Sequence, residues 1–143
     1  METWELVVRE SVRQTLADYT AATDRFDLSA LAACFGPDGV LEFTGGSEPL
    51  TGPAAIESGL ASAMADPPSG KTPTYVRHHV SSIRLESAAR DNVRVSSYFA
   101  VFTDVGLDHW GRYRDVLASY QGRWLFAHRR ITVDGFAAES LMG

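Results

Sequence analysis

Histidines and carboxylates are the side chains of this sequence that could move protons. The four histidines are His78, His79, His109 and His128. An imidazole titrates near neutral pH and can act as either acid or base. The sequence has no glycine-rich phosphate loop, no G-x-S-x-G elbow, no H-E-x-x-H motif and no pair of cysteines. It therefore favours proton transfer by side chains alone, without a cofactor or a metal.

The adjacent residues His78 and His79 lie in a segment that predicts a β-strand. Successive side chains of a strand point to opposite faces of the sheet. Only one of the two can therefore face the interior, and they cannot bind one metal ion together. The inward histidine is either a catalytic group or a core histidine with a satisfied hydrogen bond. His109 and His128 are predicted to be surface or lining residues.

Asp24 stands at the end of the first predicted helix, after an uncharged run over residues 21–23. The helix dipole disfavours a carboxylate at a C-terminus. Asp24 therefore either has a functional reason to be there or is a solvated acid at a frayed helix end. Arg129 and Arg130 alternate across the last predicted strand, so one of them faces inward. An inward arginine needs a partner or an anionic ligand, unless it extends to solvent.

Periodic apolar residues and turn residues divide the first half of the chain into helices. Apolar residues at spacings of three and four predict a helix over residues 4–25. Asp27 is the predicted N-cap of a second, short helix that reaches Phe35. A turn with Gly and Pro, a short strand over residues 40–43 and a third helix over residues 54–64 follow.

The second half of the chain is rich in β-branched and aromatic residues, with turn residues between the segments. Such segments predict four consecutive antiparallel strands in a meander, over residues 75–85, 93–103, 109–120 and 124–134. Helices followed by a sheet predict an α+β fold, with the helices on one face of a curved sheet. The space between two such layers is a common ligand pocket. We expect one domain over residues 1–143.

Length, charge and hydropathy exclude several classes of function. The chain has 143 residues and a net charge of -5. An acidic chain without clustered Lys and Arg is unsuited to nucleic acid. No apolar stretch is long enough to cross a bilayer, the acidic N-terminus does not resemble a signal peptide, and the lone Cys34 excludes an intrachain disulfide. We therefore expect a cytoplasmic protein with neither nucleic acid nor membrane as a partner.

Four motifs, in order along the chain, carry a resemblance to a known family. They are YTAATDRFD at residues 19–27, TGPAAI at 51–56, RHHVSSIRLE at 77–86 and GRWLFAHR at 122–129. Together they resemble the SnoaL-like branch of the nuclear-transport-factor-two-like superfamily over nearly the whole chain. The resemblance implies a cystatin-like cone, in which the curved sheet wraps around the N-terminal helices and encloses a pocket. The catalytic parallels are scytalone dehydratase, hexachlorocyclohexane dehydrochlorinase and bile-acid 7α-dehydratase, cofactor-free lyases that use an Asp–His pair.

The resemblance also implies roles for individual residues. It matches Asp24 to the family's aspartate, and His78, rather than His79, to its histidine. It matches Tyr19 to a catalytic tyrosine or lysine position and Arg129 to a pocket arginine. Scytalone dehydratase has a second histidine near the position of Thr103, and this chain has none there. The apolar substrate-binding residues are expected to be Leu41, Phe43, Tyr98, Phe99, Phe102 and Trp110.

Three functions share these residues. In a lyase, His78 and Asp24 remove a proton from carbon, while Arg129 and Tyr19 stabilise the departing group or the enolate. In a polyketide cyclase or isomerase, the same enolate forms but no group leaves. In a binding domain, the pocket holds an apolar small molecule against Arg129 without catalysis. We also expect a homodimer or homotrimer, formed through an apolar outer face of the sheet.

Overall fold

The structure is a computed structural model that describes residues 1–143. Its three helices are α1 (Thr3–Asp24), α2 (Leu28–Ala32) and α3 (Pro53–Ala65). Its six strands are β1 (Phe35–Phe43), β2 (Leu50–Thr51), β3 (Arg77–Ala88), β4 (Asn92–Thr103), β5 (Gly106–Tyr120) and β6 (Arg123–Phe136). The helices lie largely before a long antiparallel meander, so the predicted α+β class is confirmed.

Helix α1 is amphipathic, and its apolar face lies against the sheet. The buried residues recur at spacings of three and four, and are Val8, Val12, Leu16, Tyr19 and Ala22. Each large apolar side chain buried in this way stabilises the fold by about 1.5–3 kcal/mol. The helix contacts β3 and β6, which fixes where its C-terminal residue Asp24 meets the sheet.

Helix α2 begins as the sequence predicts and ends earlier. The Asp27 side chain accepts a hydrogen bond from the backbone N–H of Ala30 at 3.0 Å, which confirms it as the N-cap. The predicted extension to Phe35 is wrong, because Phe35 begins β1 and pairs with Phe126 of β6. Tertiary pairing of the backbone there outweighs the local helical pattern.

The sheet is one curved layer of six strands in the order β2-β1-β6-β5-β4-β3. Strands β3 to β6 form the predicted antiparallel meander. The sequence did not indicate that β1 runs parallel to β6, a pairing that extends the sheet beyond the meander. The core lies between α1 and the concave face of the sheet, where the rings of Tyr19, Phe35 and Phe126 pack together.

A β-bulge interrupts the ladder between β4 and β5. Val101 pairs with His109 and Phe102 pairs with Leu107, so Asp108 has no residue opposite it. An extra residue in one strand breaks the strict alternation of faces. As a result, two consecutive side chains, Asp108 and His109, are both buried.

No helix of the structure combines the length and the apolar character needed to cross a membrane.

Candidate active site

Asp24 and His78 meet where the C-terminus of α1 reaches the start of β3. The ring Nδ1 of His78 lies 2.7 Å from Oδ1 of Asp24, and the two side chains are 11% and 18% exposed. The backbone N–H of His78 also donates to both carboxylate oxygens, at 3.1 and 3.2 Å. These donors satisfy a carboxylate that the helix dipole disfavours at this position. Asp24 is therefore not a solvated acid at a frayed helix end.

The carboxylate decides which nitrogen of His78 carries the proton. An ionised Asp24 has only acceptors, so Nδ1 of His78 must donate and Nε2 is left with a free lone pair. An imidazole in this tautomer can take a proton at Nε2 while the carboxylate stabilises the resulting imidazolium. The pair has the geometry of a general base.

A cavity of about 450 Å³ opens at this end of the cone. Its walls are mainly aromatic and aliphatic residues from several elements, including Phe26, Phe43, Met64, Val133, Phe136 and Leu141. Asp66 is the one residue in its lining with a formal charge, and His109 is its one histidine. The cavity therefore suits an apolar ligand and offers no cation to an acidic one.

His78 and the cavity are linked by one row of residues across the sheet. His78 pairs with Val101, Val101 with His109, and His109 with Phe136, on strands β3 to β6. Residues paired directly across antiparallel strands have side chains on the same face. Two strand spacings separate His78 from His109, which is about 10 Å between their backbones. Asp24 itself lines a separate groove of about 420 Å³ between α1 and β3, whose lining shares no residue with the cavity.

His109 forms a second Asp–His pair, with its neighbour Asp108. The ring Nδ1 of His109 lies 2.8 Å from Oδ1 of Asp108. Asp108 is completely buried and His109 is 8% exposed. Burial raises the pKa of the Asp108 carboxyl, but the hydrogen bonds it accepts outweigh this and lower it to about 2. Burial lowers the pKa of His109, a shift that Asp108 opposes, so a neutral imidazole lies beside an ionised carboxylate at neutral pH.

Sequence reasoning missed the function that this second pair could have. It predicted His109 to be a surface or lining residue, and the structure has it in the cavity wall, but it did not pair His109 with Asp108. The signal was the adjacent acid and imidazole of Asp108 and His109 within a strand segment. The alternation rule assigns such neighbours to opposite faces. Only the bulge in β5 brings them to the same side.

Arg129 is the inward member of the arginine pair, but it lies in the core. It bonds through Nε and Nη2 to the two oxygens of Asp115 at 2.9 and 3.2 Å. Its guanidinium lies 3.6 Å from the ring centre of Tyr113 and 4.2 Å from that of Tyr19. Its side chain is 1% exposed, whereas that of Arg130 is 52% exposed. Arg129 lines neither the cavity nor the groove.

Tyr19 is also a core residue. It is 4% exposed, its ring packs on Phe126, and burial raises the pKa of its hydroxyl, which makes it a weaker proton donor. The structure thus brings Asp24 and His78 together, but neither of them lines the cavity, and Tyr19 and Arg129 do not line it either.

The predicted apolar walls divide into three groups. Phe43 lines the cavity, Leu41 is fully buried, and Phe99 is 4% exposed beneath His109, stacked on Tyr113. The other three lie on the outer face of the sheet and are at least 36% exposed, which corrects their expected place in the pocket: Tyr98, Phe102 and Trp110. Alternation is the reason, because Tyr98 flanks the inward Phe99 and Phe102 flanks the inward Val101.

The chain belongs to the SnoaL-like domain family, whose profile matches residues 4–130. The comparison with curated proteins found no match.

Solved structures share this fold over nearly their whole length. A protein from Novosphingobium aromaticivorans, assigned provisionally as a scytalone dehydratase, is 20% identical with a TM-score of 0.79, covering 96% of this chain and 91% of its own. LinA is 17% identical with a TM-score of 0.78, covering 94% and 90%. At these identities the likeness shows the fold alone. A protein from Catenulispora acidiphila, in complex with S-DNPA, is 26% identical with a TM-score of 0.77, covering 90% and 95%.

Proposed function

We propose that this protein is a cofactor-free lyase, in which His78 removes a proton from a carbon atom of an apolar small molecule. The observation that carries the proposal is the 2.7 Å bond between Nδ1 of His78 and Oδ1 of Asp24. This bond fixes the tautomer that leaves Nε2 free as a base. Membership of the SnoaL-like family and an apolar cavity on the same row of the sheet support the same conclusion.

The reaction is an elimination that starts at a carbon next to an electron-withdrawing group. Nε2 of His78 takes the proton, and the electron pair of the broken C–H bond forms a double bond to the neighbouring carbon. That carbon loses hydroxide or halide, which departs with its bonding electrons. The imidazolium, stabilised by Asp24, then returns its proton to the leaving hydroxide or to solvent. General base catalysis of this kind contributes about 10²–10⁴ in rate.

The cavity supplies the environment that this chemistry needs. Its volume of about 450 Å³ is in the range of small-molecule sites. Apolar walls exclude water, which strengthens the electrostatic contacts within the site. Because the lining holds no lysine or arginine, an uncharged substrate is favoured over an acid.

The test compares two neighbouring histidines. His78→Ala should lower turnover of an apolar β-hydroxy or β-halo carbonyl substrate by about 10²–10⁴. His79→Ala is the matched control, since His79 is exposed and packs its ring against Phe102, 5.0 Å away on the outer face. Equal turnover in the two variants would contradict the proposal.

Product mass separates the lyase from a cyclase or an isomerase, which begin with the same proton transfer. Loss of water or halide supports the lyase, whereas an unchanged mass supports rearrangement. Binding without turnover is the other alternative. A bound substrate that no condition converts would support that alternative.

A further inference from the structure

The pair of Asp108 and His109 reaches the cavity through His109 and has no part in the proton abstraction by His78. Both residues are buried, because the bulge in β5 places their side chains on the same side of the sheet. Bulges that re-aim side chains are common beside binding and catalytic sites. This pair therefore needs an explanation of its own.

Hydrogen bonds from four groups hold Asp108 as an ionised acceptor. Oδ1 accepts from Nδ1 of His109 at 2.8 Å and from the hydroxyl of Ser140 at 2.6 Å. Oδ2 accepts from the hydroxyl of Thr103 at 2.9 Å and from the backbone N–H of Leu141 at 2.8 Å. A carboxylate with this many donors has no proton to give. Nδ1 of His109 is therefore the donor, and Nε2 is an unprotonated acceptor.

Nε2 of His109 opens onto the cavity. No protein group bonds to it, since the one side-chain bond of this ring is made by Nδ1. The buried side-chain polar atoms without a partner are Arg9 Nε, Ser97 Oγ and Arg129 Nη1, and Nε2 of His109 is not among them. Its accessible surface must then lie in the cavity that His109 lines. A lone pair in an apolar wall is a strong determinant of which ligand fits.

We propose that His109 selects an uncharged aromatic or alicyclic substrate with a hydroxyl group, by accepting a hydrogen bond from that hydroxyl at Nε2. The proposal rests on the proposed function to the extent that the substrate of His78 occupies this cavity. The rings of Phe43 and Phe136 in the cavity wall suit a flat apolar ligand. The row across the sheet sets His78 and His109 about 10 Å apart. Because His78 does not line the cavity, a substrate that bonds to His109 must extend along this row past Val101 to bring its reacting carbon to His78.

The test uses three naphthalene probes that differ in one substituent. 2-Naphthol donates a hydrogen bond, whereas 2-methoxynaphthalene and 2-acetylnaphthalene only accept one. Calorimetric titration of the full chain at neutral pH should show 2-naphthol binding about tenfold more tightly than either. Equal affinity for all three probes in the unaltered protein would overturn the proposal.

His109→Phe removes the acceptor and keeps a ring in the cavity wall. The variant should bind 2-naphthol and 2-methoxynaphthalene with about equal affinity, and its affinity for 2-methoxynaphthalene should match that of the unaltered protein. A retained preference in the folded variant would also overturn the proposal, since another group would then hold the hydroxyl.

Asp108→Asn should change Nε2 of His109 from a hydrogen-bond acceptor into a donor. The N–H of Leu141 can only donate, so the amide oxygen must take the place of Oδ2, and the amide NH₂ then faces His109. Nδ1 becomes the acceptor, and the proton moves to Nε2. The ratio of 2-naphthol to 2-acetylnaphthalene affinity should shift about tenfold towards the ketone. A role for Asp108 in folding alone predicts no such reversal, so an unchanged ratio in a folded variant contradicts the proposal.

The outcome is independent of the proposed lyase activity, because binding is measured without turnover. His78→Ala should keep the full preference for 2-naphthol. A lost preference in His109→Phe beside unaffected turnover in His78→Ala would uphold this proposal and reject the lyase. The converse result would reject this proposal and uphold the lyase.

Discussion

The two Asp–His pairs have nearly the same hydrogen-bond length but arise in different ways from the fold. The ring nitrogen lies 2.7 Å from the carboxylate in Asp24–His78 and 2.8 Å in Asp108–His109. The first joins residues 54 positions apart on a helix and a strand, and the second joins neighbours on one strand. A helix that packs on the sheet creates the first pair, whereas a local bulge creates the second.

The pairs also differ in what surrounds the carboxylate. The Asp24 side chain is 18% exposed and accepts only from the ring and backbone of His78. Asp108 is fully buried and accepts from β4, from its own strand and from the C-terminal residues Ser140 and Leu141. The two imidazoles are equally exposed, at 11% of the side chain, so the pairs differ at the carboxylate and not at the ring. The four donors to Asp108 hold His109 in one tautomer, which suits recognition of a ligand.

The largest expected effect is on turnover, which should fall far more when Asp24 is altered than when Asp108 is altered. Asp24→Asn should lower kcat by about 10²–10⁴, because an amide donating to Nδ1 holds His78 in the tautomer that cannot act as a base. Asp108→Asn should lower kcat only about tenfold, through poorer positioning of the substrate. Single-turnover rates on one substrate check both. The reverse order would exchange the roles assigned to the two histidines.

A third buried carboxylate sharpens the comparison, since Asp115 and Arg129 form a buried pair that does not line the cavity at His109. Burial raises the pKa of the Asp115 carboxyl, although the guanidinium opposes the shift. Arg129→Met should lower the free energy of unfolding by about 3–5 kcal/mol, because it leaves Asp115 unpaired.

The control for that variant is its neighbour on the outer face. Arg130→Met should change stability by no more than about 0.5 kcal/mol, and urea unfolding measures both variants. If Arg129→Met kept full stability but lost turnover, Arg129 would have a role in catalysis and not in stability.

Loss of the Asp108 carboxylate should also destabilise the fold more than loss of the Asp24 carboxylate. Asp108→Ala should lower the free energy of unfolding by about 3 kcal/mol, because it leaves several buried donors without an acceptor. Asp24→Ala should cost about 1 kcal/mol, since water can reach the donors of His78. Chemical denaturation of the two variants gives the difference, and equal losses would mean that burial does not distinguish the pairs.

The smallest expected effect is the part of the pH dependence of stability that Asp108 contributes. Its pKa of about 2 lies below the ordinary value of 3.8. The stabilisation is therefore complete above about pH 5 and is lost as the pH falls towards the folded-state pKa. The stability advantage of the unaltered protein over Asp108→Asn should shrink from pH 5 to pH 3, as urea unfolding at each pH would record. A constant advantage would mean that the carboxyl is not held ionised by its donors.

Much of the architecture could be predicted from local sequence. The amphipathic spacing of α1, the cap at Asp27 and the alternating β-branched segments of the meander are local properties, and the structure has them where the sequence predicts them. The outward direction of Tyr98 and Phe102 could also have been predicted. Valines occupy the other parity of β4, and that pattern marks its inner face.

The candidate site depended on contacts that no local pattern contains. The sequence supplied Asp24, His78 and the adjacent Asp108 and His109, and the family resemblance singled out the first two. Whether Arg129 faces a ligand or the core is decided by Asp115, which is brought beside it by the pairing of β5 with β6. The second pair exists because one unpaired residue in β5 changes the parity of the strand. A shift of one residue reverses every side chain that follows, and only the pairing between strands determines where that shift occurs.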